Sequence, residues 1–237
     1  MNNIFKNKTV LILGATGSIG KEICKQLSQY ECKIIVIGSN LKSIQNTKNI
    51  IKDGIAEIET LKCNLNIKKD VLNLMNLLKT KYKVNVLINC AGIFINSPID
   101  KTSPKIIEES FNVNIKSPFM IIREAIKNMK KNKWGRIVNL GSSSSYNGFN
   151  DSSVYCSTKH AILGFTRAIH NELKSFNIRC YCISPSSTKG KMGKSTKNQD
   201  YDTFLDPHDV AKYIIFTISF DSNLMNEEVL LNRMFIK

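Results

Sequence analysis

Tyr155 and Lys159 are the two side chains best suited to acid–base chemistry, because they are four residues apart in an amphipathic, helix-like stretch. Residues at that spacing lie on one face of a helix. An ammonium beside a phenol stabilises the phenolate, which makes a tyrosine a usable general acid. The same spacing also occurs in purely structural pairs, so its meaning depends on what else the chain brings to that place.

Further polar residues follow short apolar runs elsewhere in the chain. Ser142 stands 13 residues before Tyr155, shortly after the run 136–140, and the segment 89–92 closes another run. Asn114 adds a third polar group. Ligands bind at the carboxyl ends of the strands in an open α/β sheet, so we expect these residues to gather at one sheet edge.

Three glycines precede and open the first helical stretch, directly after the first apolar run. The segment is Gly14-Ala15-Thr16-Gly17-Ser18-Ile19-Gly20. Glycines allow a tight turn in which backbone N–H groups approach a pyrophosphate at the positive end of a helix. Gly20 would let that helix lie close to the sheet. A strand, this loop and a helix in that order predict a dinucleotide-binding site.

The choice of dinucleotide should depend on residues about 20 positions later, at the end of the second apolar run. An acid there binds the ribose 2′-hydroxyl of NAD, whereas a basic residue favours the 2′-phosphate of NADP. The chain has Ser39 and Asn40, followed by Lys42, and no acid. We therefore predict NADP (NADPH) in preference to NAD.

Seven short runs rich in Ile, Val and Leu alternate with helical patterns along the chain. The runs cover residues 9–13, 33–37, 58–62, 84–89, 136–140, 179–183 and 229–231, and the helical patterns include 19–29, 41–52, 70–81, 117–131, 152–176 and 207–220. The runs lack the polar alternation of a sheet with one wet face, which is typical of parallel strands covered on both sides. The sequence predicts an α/β protein. It should be one doubly wound domain over residues 1–237, with a parallel sheet of about seven strands and helices on both faces.

One stretch, residues 185–206, breaks this alternation. It is rich in Ser, Thr, Lys, Gly and Asn and has no apolar periodicity. Loops of this length in compact domains are usually functional lids or disordered, and we predict a substrate lid. Its lysines, Lys189, Lys191, Lys194 and Lys197, either attract an anionic partner or are simply solvated.

The composition narrows the classes of protein that fit. The formal charge of +15 comes from 29 Lys and only 5 Arg, so we expect a solvated lysine-rich surface and no nucleic-acid partner. The seven cysteines are scattered and odd in number, and His160, His170 and His208 lack metal-ligand spacing, so we predict no metal site. No stretch is apolar for long enough to form a signal peptide or a membrane span. We expect a cytoplasmic protein with reduced thiols and no membrane partner.

Taken together, these motifs resemble the short-chain dehydrogenase/reductase family over nearly the entire chain. The loop 14–20 is similar to the family's cofactor loop, and Asn89-Cys90-Ala91-Gly92 to its sheet-stabilising Asn-Asn-Ala-Gly motif. The residues that match the family's catalytic Asn, Ser and Tyr-x-x-x-Lys set are Asn114, Ser142, Tyr155 and Lys159, and Ile183-Ser184-Pro185 matches the segment beside the nicotinamide. Residues 135–139 and the serine-to-tyrosine spacing most resemble 3-oxoacyl-carrier-protein reductases.

The resemblance implies a Rossmann fold and hydride transfer between a nicotinamide and a small or carrier-linked carbonyl substrate. Tyr155 would donate the proton, Ser142 would orient the substrate oxygen, and Lys159 would bind the nicotinamide ribose. Asn114 would hold a water linked to Lys159. The implied cofactor-binding residues are Gly14, Thr16, Gly17, Ser18, Ile19, Gly20, Ser39, Asn40, Asn64, Leu65, Asn89, Ala91, Gly92, Tyr155, Lys159 and Pro185.

Four consecutive serines leave the serine assignment open in one respect. The family's spacing selects Ser142, with Ser143 as the alternative, while Ser144 and Ser145 would stabilise the loop. Tyr146 either lines the substrate pocket or packs.

The chain departs from the family's pattern at several places. Ser18 stands where the second glycine is usual, Asn64 where an aspartate commonly meets the adenine, and Ser186 where a glycine follows Pro185. After the last run, Asn232-Arg233-Met234 replaces the usual Asp-Gly-Gly. That ending lies where many relatives pack a tetramer, so the implied homo-oligomer, a dimer or tetramer, remains an expectation.

Two other functions are compatible with the residues. A reductase or epimerase acting on a sugar or polyol in surface-polysaccharide synthesis fits the altered ending and the glycine spacing. A catalytically silent dinucleotide sensor that binds a partner protein would keep the glycine loop, but it has no need for an acid–base set.

Overall fold

Seven parallel strands form one sheet in the computed structural model, which describes residues 4–195 and 199–235. The strands are β1 (Thr9–Leu13), β2 (Lys33–Gly38), β3 (Glu57–Lys62), β4 (Val86–Asn89), β5 (Gly135–Leu140), β6 (Ile178–Pro185) and β7 (Glu228–Leu231). Their order is β3-β2-β1-β4-β5-β6-β7. The order reverses direction between β1 and β4, and this reversal opens a crevice at the carboxyl ends of those strands where ligands bind.

Seven α-helices connect the strands. They are α1 (Ser18–Leu27), α2 (Leu41–Ile51), α3 (Lys68–Thr80), α4 (Pro104–Phe111), α5 (Ser117–Asn132), α6 (Ser153–Leu173) and α7 (Pro207–Ile218). The predicted doubly wound Rossmann fold with helices on both faces is therefore confirmed. No helix within residues 4–195 and 199–235 has both the length and the apolar character needed to cross a bilayer.

The central strands are apolar on both faces because each face supports a separate layer of core. Along β1, Val10 and Ile12 pack into the layer that contains α1, α2 and α7, while Leu11 and Leu13 pack into the layer that contains α3, α5 and α6. All four side chains are fully buried. The continuous apolar run that predicted this strand is thus a direct consequence of two-sided burial.

Strand β3 differs from the central strands because it lies at one edge of the sheet, and β7 lies at the other. Most of its residues are half-buried, and its charged residue Glu59 accepts hydrogen bonds from Lys81 and Tyr82 and pairs with Lys33 at 2.9 Å. Burial works against the charge of Glu59, but the hydrogen bonds from Lys81, Tyr82 and Lys33 outweigh it and lower the pKa of Glu59 to about 2. This network links β3 to β2 and to the end of α3.

Candidate active site

The glycine loop packs against the loop that follows β4 so closely that no side chain fits between them. Gly14 has a φ of +70°, and a Cβ placed on it would lie 2.7 Å from the backbone of Ala91. A Cβ on Gly20 would lie 2.4 Å from the Gly14 carbonyl oxygen and 2.8 Å from the Cα of Ala15. At Gly20, helix α1 therefore packs at backbone distance on the glycine loop that precedes it.

The N-terminus of α1 points into the crevice without a side-chain cap. Gly17 is the capping residue and offers no acceptor to the first-turn N–H groups of Ser18, Ile19 and Gly20, and the first turn carries no acid. Unsatisfied N–H groups at a helix N-terminus bind anions. The Thr16 side chain lies beside the end of β2, because a Cβ on Gly38 would lie 2.7 Å from it. The cradle fits a dinucleotide pyrophosphate.

The ends of β2 and β3 form the next part of the crevice. Ser39 and Asn40 are exposed after Gly38, and Asn40 caps α2 by accepting a hydrogen bond from the Ser43 N–H at 3.1 Å. Lys62 pairs in register with Gly38. Sequence reasoning missed Lys62, because strand register was needed to place it beside the second strand.

Asn64 and Leu65 follow β3, and their polar groups bond to neighbouring protein segments. The Asn64 side chain accepts a hydrogen bond from the Asn66 N–H at 3.0 Å. Leu65 is buried, and its carbonyl accepts a hydrogen bond from the Ser117 hydroxyl at 2.6 Å. These contacts fix the turn that begins at Asn64, beside the predicted adenine end of the crevice.

Asn89 ends β4 and ties the sheet to α6. Its amide donates to Asn139 Oδ1 at 3.1 Å, and Asn139 in turn donates to the Thr166 hydroxyl at 3.0 Å. The Asn89 oxygen accepts a weaker hydrogen bond from the Ala91 N–H at 3.3 Å. The side chain therefore supports the backbone of Ala91 and Gly92, which borders the crevice.

Asn114 lies in a single π-turn, Asn112–Lys116, between α4 and α5. Such turns are rare and often mark functional sites. The Asn114 side chain is buried and bonds to both backbone groups of Ile93, at 2.8 and 3.0 Å, and to the Thr158 hydroxyl at 3.0 Å. It joins the loop after β4 to α6. Neither Thr158 nor the π-turn was found by sequence reasoning.

Ser142 begins the short turn Ser143–Ser145 just beyond β5. Its Oγ accepts a hydrogen bond from the Ser144 N–H, and its own N–H donates to the Ser145 Oγ, both at 3.1 Å. These bonds use one acceptor site on the Ser142 hydroxyl and leave its proton free to be donated. Ser144 and Ser145 are buried and stabilise the turn, as the sequence predicts.

Tyr155 and Lys159 lie on α6, which packs against the Ser143–Ser145 turn. The Lys159 Nζ donates to the Leu140 carbonyl at 2.7 Å and lies 5.6 Å from the centre of the Tyr155 ring. Lys159 is only 6% exposed. A Cβ on Gly92 would approach Lys159 Nζ at 3.8 Å and Asn114 Oδ1 at 3.6 Å. The structure therefore brings Lys159, Asn114 and Gly92 together.

Phe94 is a contact that the sequence did not indicate. Its ring meets the Tyr155 ring edge to face, with centroids 4.9 Å apart. The aromatic contact restricts the orientation of the Tyr155 ring.

Two side chains near the site, Cys90 and Tyr146, have pKa values that burial raises. Burial raises the pKa of the Cys90 thiol to about 12, which keeps it protonated and unreactive. Burial also raises the pKa of Tyr146 to about 12, with Ser184 and Glu228 beside its hydroxyl. The half-buried Tyr146 ring is compatible with both alternatives, packing and lining the substrate pocket.

The 185–206 loop begins beside the site. Pro185 is the last residue of β6 and pairs with Leu231. Gly190, with a φ of +145°, packs so closely on the cofactor loop that a Cβ would lie 2.0 Å from the Ser18 Oγ. Lys189, Lys191 and Lys194 lie within the described part of the loop, whereas Lys197 falls outside the described residues.

A glycine cradle at a helix N-terminus, next to a tyrosine and a lysine on one helix, defines a nicotinamide-dinucleotide oxidoreductase. Residues 8–201 match the model of the short chain dehydrogenase family. The chain belongs to this family and is an NAD(P)-dependent oxidoreductase.

One relative and two solved structures show what this chain is similar to. The chain is 28% identical over 221 residues to a 3-oxoacyl-[acyl-carrier-protein] reductase of Rickettsia felis, covering 90% of this chain and 89% of that protein. Its fold is similar to that of ElxO with NADP bound, at a TM-score of 0.83 and 23% identity, covering 96% and 97% of the two chains. It is also similar to NAD⁺-bound xylitol dehydrogenase, at a TM-score of 0.85 and 20% identity, covering 97% and 98%.

Proposed function

We propose that the protein is an NADP-dependent oxidoreductase that interconverts a carbonyl and a secondary alcohol, with Tyr155 as the general acid and base. One observation carries the proposal: the ammonium of Lys159 is buried, is held by a backbone carbonyl, and lies next to the Tyr155 ring. Burying an ammonium costs free energy, which an apolar side chain at this position would avoid. A role toward Tyr155 accounts for its presence.

Tyr155 and Ser142 would act on the substrate oxygen. Tyr155 donates its phenolic proton as the carbonyl becomes an alkoxide, and accepts it in the reverse direction. The Ser142 hydroxyl group donates a hydrogen bond to the same oxygen and orients it. The bound nicotinamide would supply the hydride in reduction or accept it in oxidation.

Lys159 and Asn114 would support the proton transfer. Lys159 would bind the nicotinamide ribose, and its positive charge lies 5.6 Å from the centre of the Tyr155 ring. Asn114 fixes the position of α6 relative to the loop after β4 through its bonds to Ile93 and Thr158. Together with the Gly92 backbone, this arrangement would form the nicotinamide and ribose side of the crevice.

The preference for NADP is supported by the charges at the ends of β2 and β3. No acid follows Gly38, and Lys42 and Lys62 lie at this edge as candidate partners for a 2′-phosphate. We expect Ser39→Asp to weaken NADPH binding by about tenfold or more through charge repulsion and to spare NADH. Titration of both cofactors checks this, and an NADH affinity equal to or better than that for NADPH in the unaltered protein would contradict the preference.

A 3-oxoacyl group on a carrier is the substrate class we propose first. The support is the similarity over nearly the whole chain to the Rickettsia felis reductase. A sugar or polyol substrate is the second candidate, supported by the fold shared with xylitol dehydrogenase, a likeness that shows the fold alone.

The decisive experiment compares Tyr155→Phe with Tyr30→Phe while NADPH oxidation is followed against an acetoacetyl thioester and a panel of keto sugars. Both variants lose only a hydroxyl from a ring that packs edge to face, on Phe94 and Phe5 respectively. We expect Tyr155→Phe to bind NADPH normally and to lose about 10²–10⁴-fold in kcat, whereas Tyr30→Phe stays active.

The outcomes separate the candidate functions. Turnover of a keto sugar but not of the thioester would favour the polyol class. Tight NADPH binding with no turnover of any substrate would favour a sensor. A Tyr155→Phe variant that keeps more than a few per cent of the kcat would refute the role of Tyr155.

A further inference from the structure

Arg233 lies at the point where the end of the chain meets the 185–206 loop. It follows β7 by two residues, and the Leu231 carbonyl at the end of β7 accepts a hydrogen bond from the Ser186 N–H at 2.8 Å. The start of the loop and the segment after β7 are therefore side by side.

The Arg233 side chain contacts the second half of the loop at three points. Its guanidinium donates to the Thr203 Oγ1 at 3.0 Å and to the Gln199 Oε1 at 2.9 Å, and lies 5.0 Å from the centre of the Phe204 ring. Gln199 Oε1 also accepts a hydrogen bond from the Ser187 hydroxyl at 2.9 Å. One side chain thus links the two halves of the loop to the end of the chain.

The second half of the loop in turn holds the first half. Thr188 and Leu205 form a bridge, and the Lys189 N–H donates to the Leu205 carbonyl at 2.8 Å. The Gly190 N–H donates to the Tyr201 hydroxyl at 2.8 Å. These bonds place the Gly190 backbone directly on Ser18, at the N-terminus of α1.

We propose that Arg233 is a positioning residue that holds the 185–206 loop against the cofactor loop and so strengthens dinucleotide binding. Arg233 contacts Gln199 and Thr203, and Tyr201, which lies between these two in the chain, holds Gly190 against Ser18. The planar fork of arginine reaches two acceptors while its face stacks on a ring, which a lysine cannot do. The effect on turnover rests on the proposed function, whereas the effect on the loop does not.

The test compares Arg233→Met and Arg233→Lys with the control Arg167→Met. Arg167, on α6, forms a two-point ion pair with Glu228, the first residue of β7. This ion pair contacts no residue of the loop. Two readouts are measured: hydrogen exchange of the loop in the protein without cofactor, and the Kd for NADPH. We expect Arg233→Met to speed exchange in the described parts of the loop and to raise the Kd by about tenfold.

The remaining arms separate positioning from a merely structural role. The KM for NADPH should rise in Arg233→Met while kcat changes less than twofold, Arg233→Lys should recover only part of the loss, and Arg167→Met should leave loop exchange and Kd unchanged. In a Thr203→Val background, Arg233→Met should have a smaller effect than in the unaltered protein, because the two residues are coupled. Unchanged loop exchange in Arg233→Met would overturn the proposal. So would fully additive effects in the double variant.

The two proposals fail in different ways. If no carbonyl substrate is turned over, the proposed function fails, while loop exchange and the NADPH Kd still report on Arg233. If turnover occurs but Arg233→Met keeps the same exchange and Kd, only the inference on Arg233 fails.

Discussion

Replacing Gly20 by Ala tests the claim that the cofactor cradle depends on backbone-to-backbone packing. An added methyl would lie 2.4 Å from the Gly14 carbonyl oxygen and 2.8 Å from the Cα of Ala15. Both contacts are with backbone, so α1 must move away from the loop by at least about half an ångström. That movement displaces the N–H groups that would meet the pyrophosphate.

The size of the effect follows from two opposing contributions. Forcing an extra methyl group into a packed site costs about 1–3 kcal/mol, and replacing Gly by Ala in a helix returns about 0.5–1 kcal/mol. We expect a net loss of about 1–2 kcal/mol in the free energy of unfolding, or a fall of about 2–8 °C in Tm. The Kd for NADPH should rise by about tenfold or more, because displacements on the ångström scale are costly in a binding site.

Gly164→Ala is the matched control. Gly164 lies on the exposed face of α6, and a Cβ there meets no heavy atom within 4 Å. The same change should therefore raise the free energy of unfolding by about 0.5–1 kcal/mol and leave the Kd unchanged. Thermal unfolding and cofactor titration of both variants check the prediction. A Gly20→Ala variant with a Tm at or above that of the unaltered protein and a normal Kd would refute the reasoning.

Three further predictions concern the proposed catalytic tyrosine, the sheet interior and the sheet edge. Phe94→Ala removes the ring that packs on Tyr155 and should lower kcat by about tenfold with little change in the NADPH Kd; equal kcat in steady-state assays would contradict this. Asn139→Leu leaves the buried Asn89 amide without its acceptor and removes the hydrogen bond that the Thr166 hydroxyl accepts, although that hydroxyl still donates to the Ile162 carbonyl. It should lower the free energy of unfolding by about 1–3 kcal/mol in urea titrations, and an unchanged free energy would contradict this. The pKa of Glu59 is lowered to about 2 from 4.5, so its stabilising effect is complete above pH 4.5 and is lost as the pH falls toward 2. Glu59→Gln should therefore cost about 1–2 kcal/mol near neutral pH, after allowance for solvent screening, and less in urea titrations near pH 3; a cost independent of pH would contradict the assignment.

The order and type of the elements follow from the sequence because the central strands are buried on both faces. A strand such as β1 shows an unbroken apolar run only when each alternate side chain packs into a separate core layer. The edge strand β3 was predicted as a buried strand from 58–62, yet it is half-exposed because it has one neighbour only. Position in the sheet depends on pairing between distant segments, which local pattern does not encode.

The residues that carry the chemical groups of the candidate site could be predicted from the sequence. The residues that hold those groups in place could not. Tyr155, Lys159, Ser142 and the glycine loop have local spacings that reflect one helix, one turn and one strand end. The π-turn around Asn114 has no such local signature, because it arises where α4 and α5 join against two other segments. The place of Lys62 beside Gly38 depends instead on the register between β2 and β3.

The polar site residues are held largely by backbone groups of other residues. This explains why the residues that hold them cannot be recognised from the sequence. Asn114 bonds to the backbone of Ile93, and Lys159 to the backbone carbonyl of Leu140. Every residue here offers the same backbone group, whatever its side chain. The residue types of Ile93 and Leu140 therefore do not indicate that these hydrogen bonds exist. The geometry of the site is therefore set largely by main chain from other elements. A change in backbone spacing, as at Gly20, should therefore disturb the site strongly. Replacing the side chain of Ile93 or Leu140, which supply only backbone groups, should disturb it less.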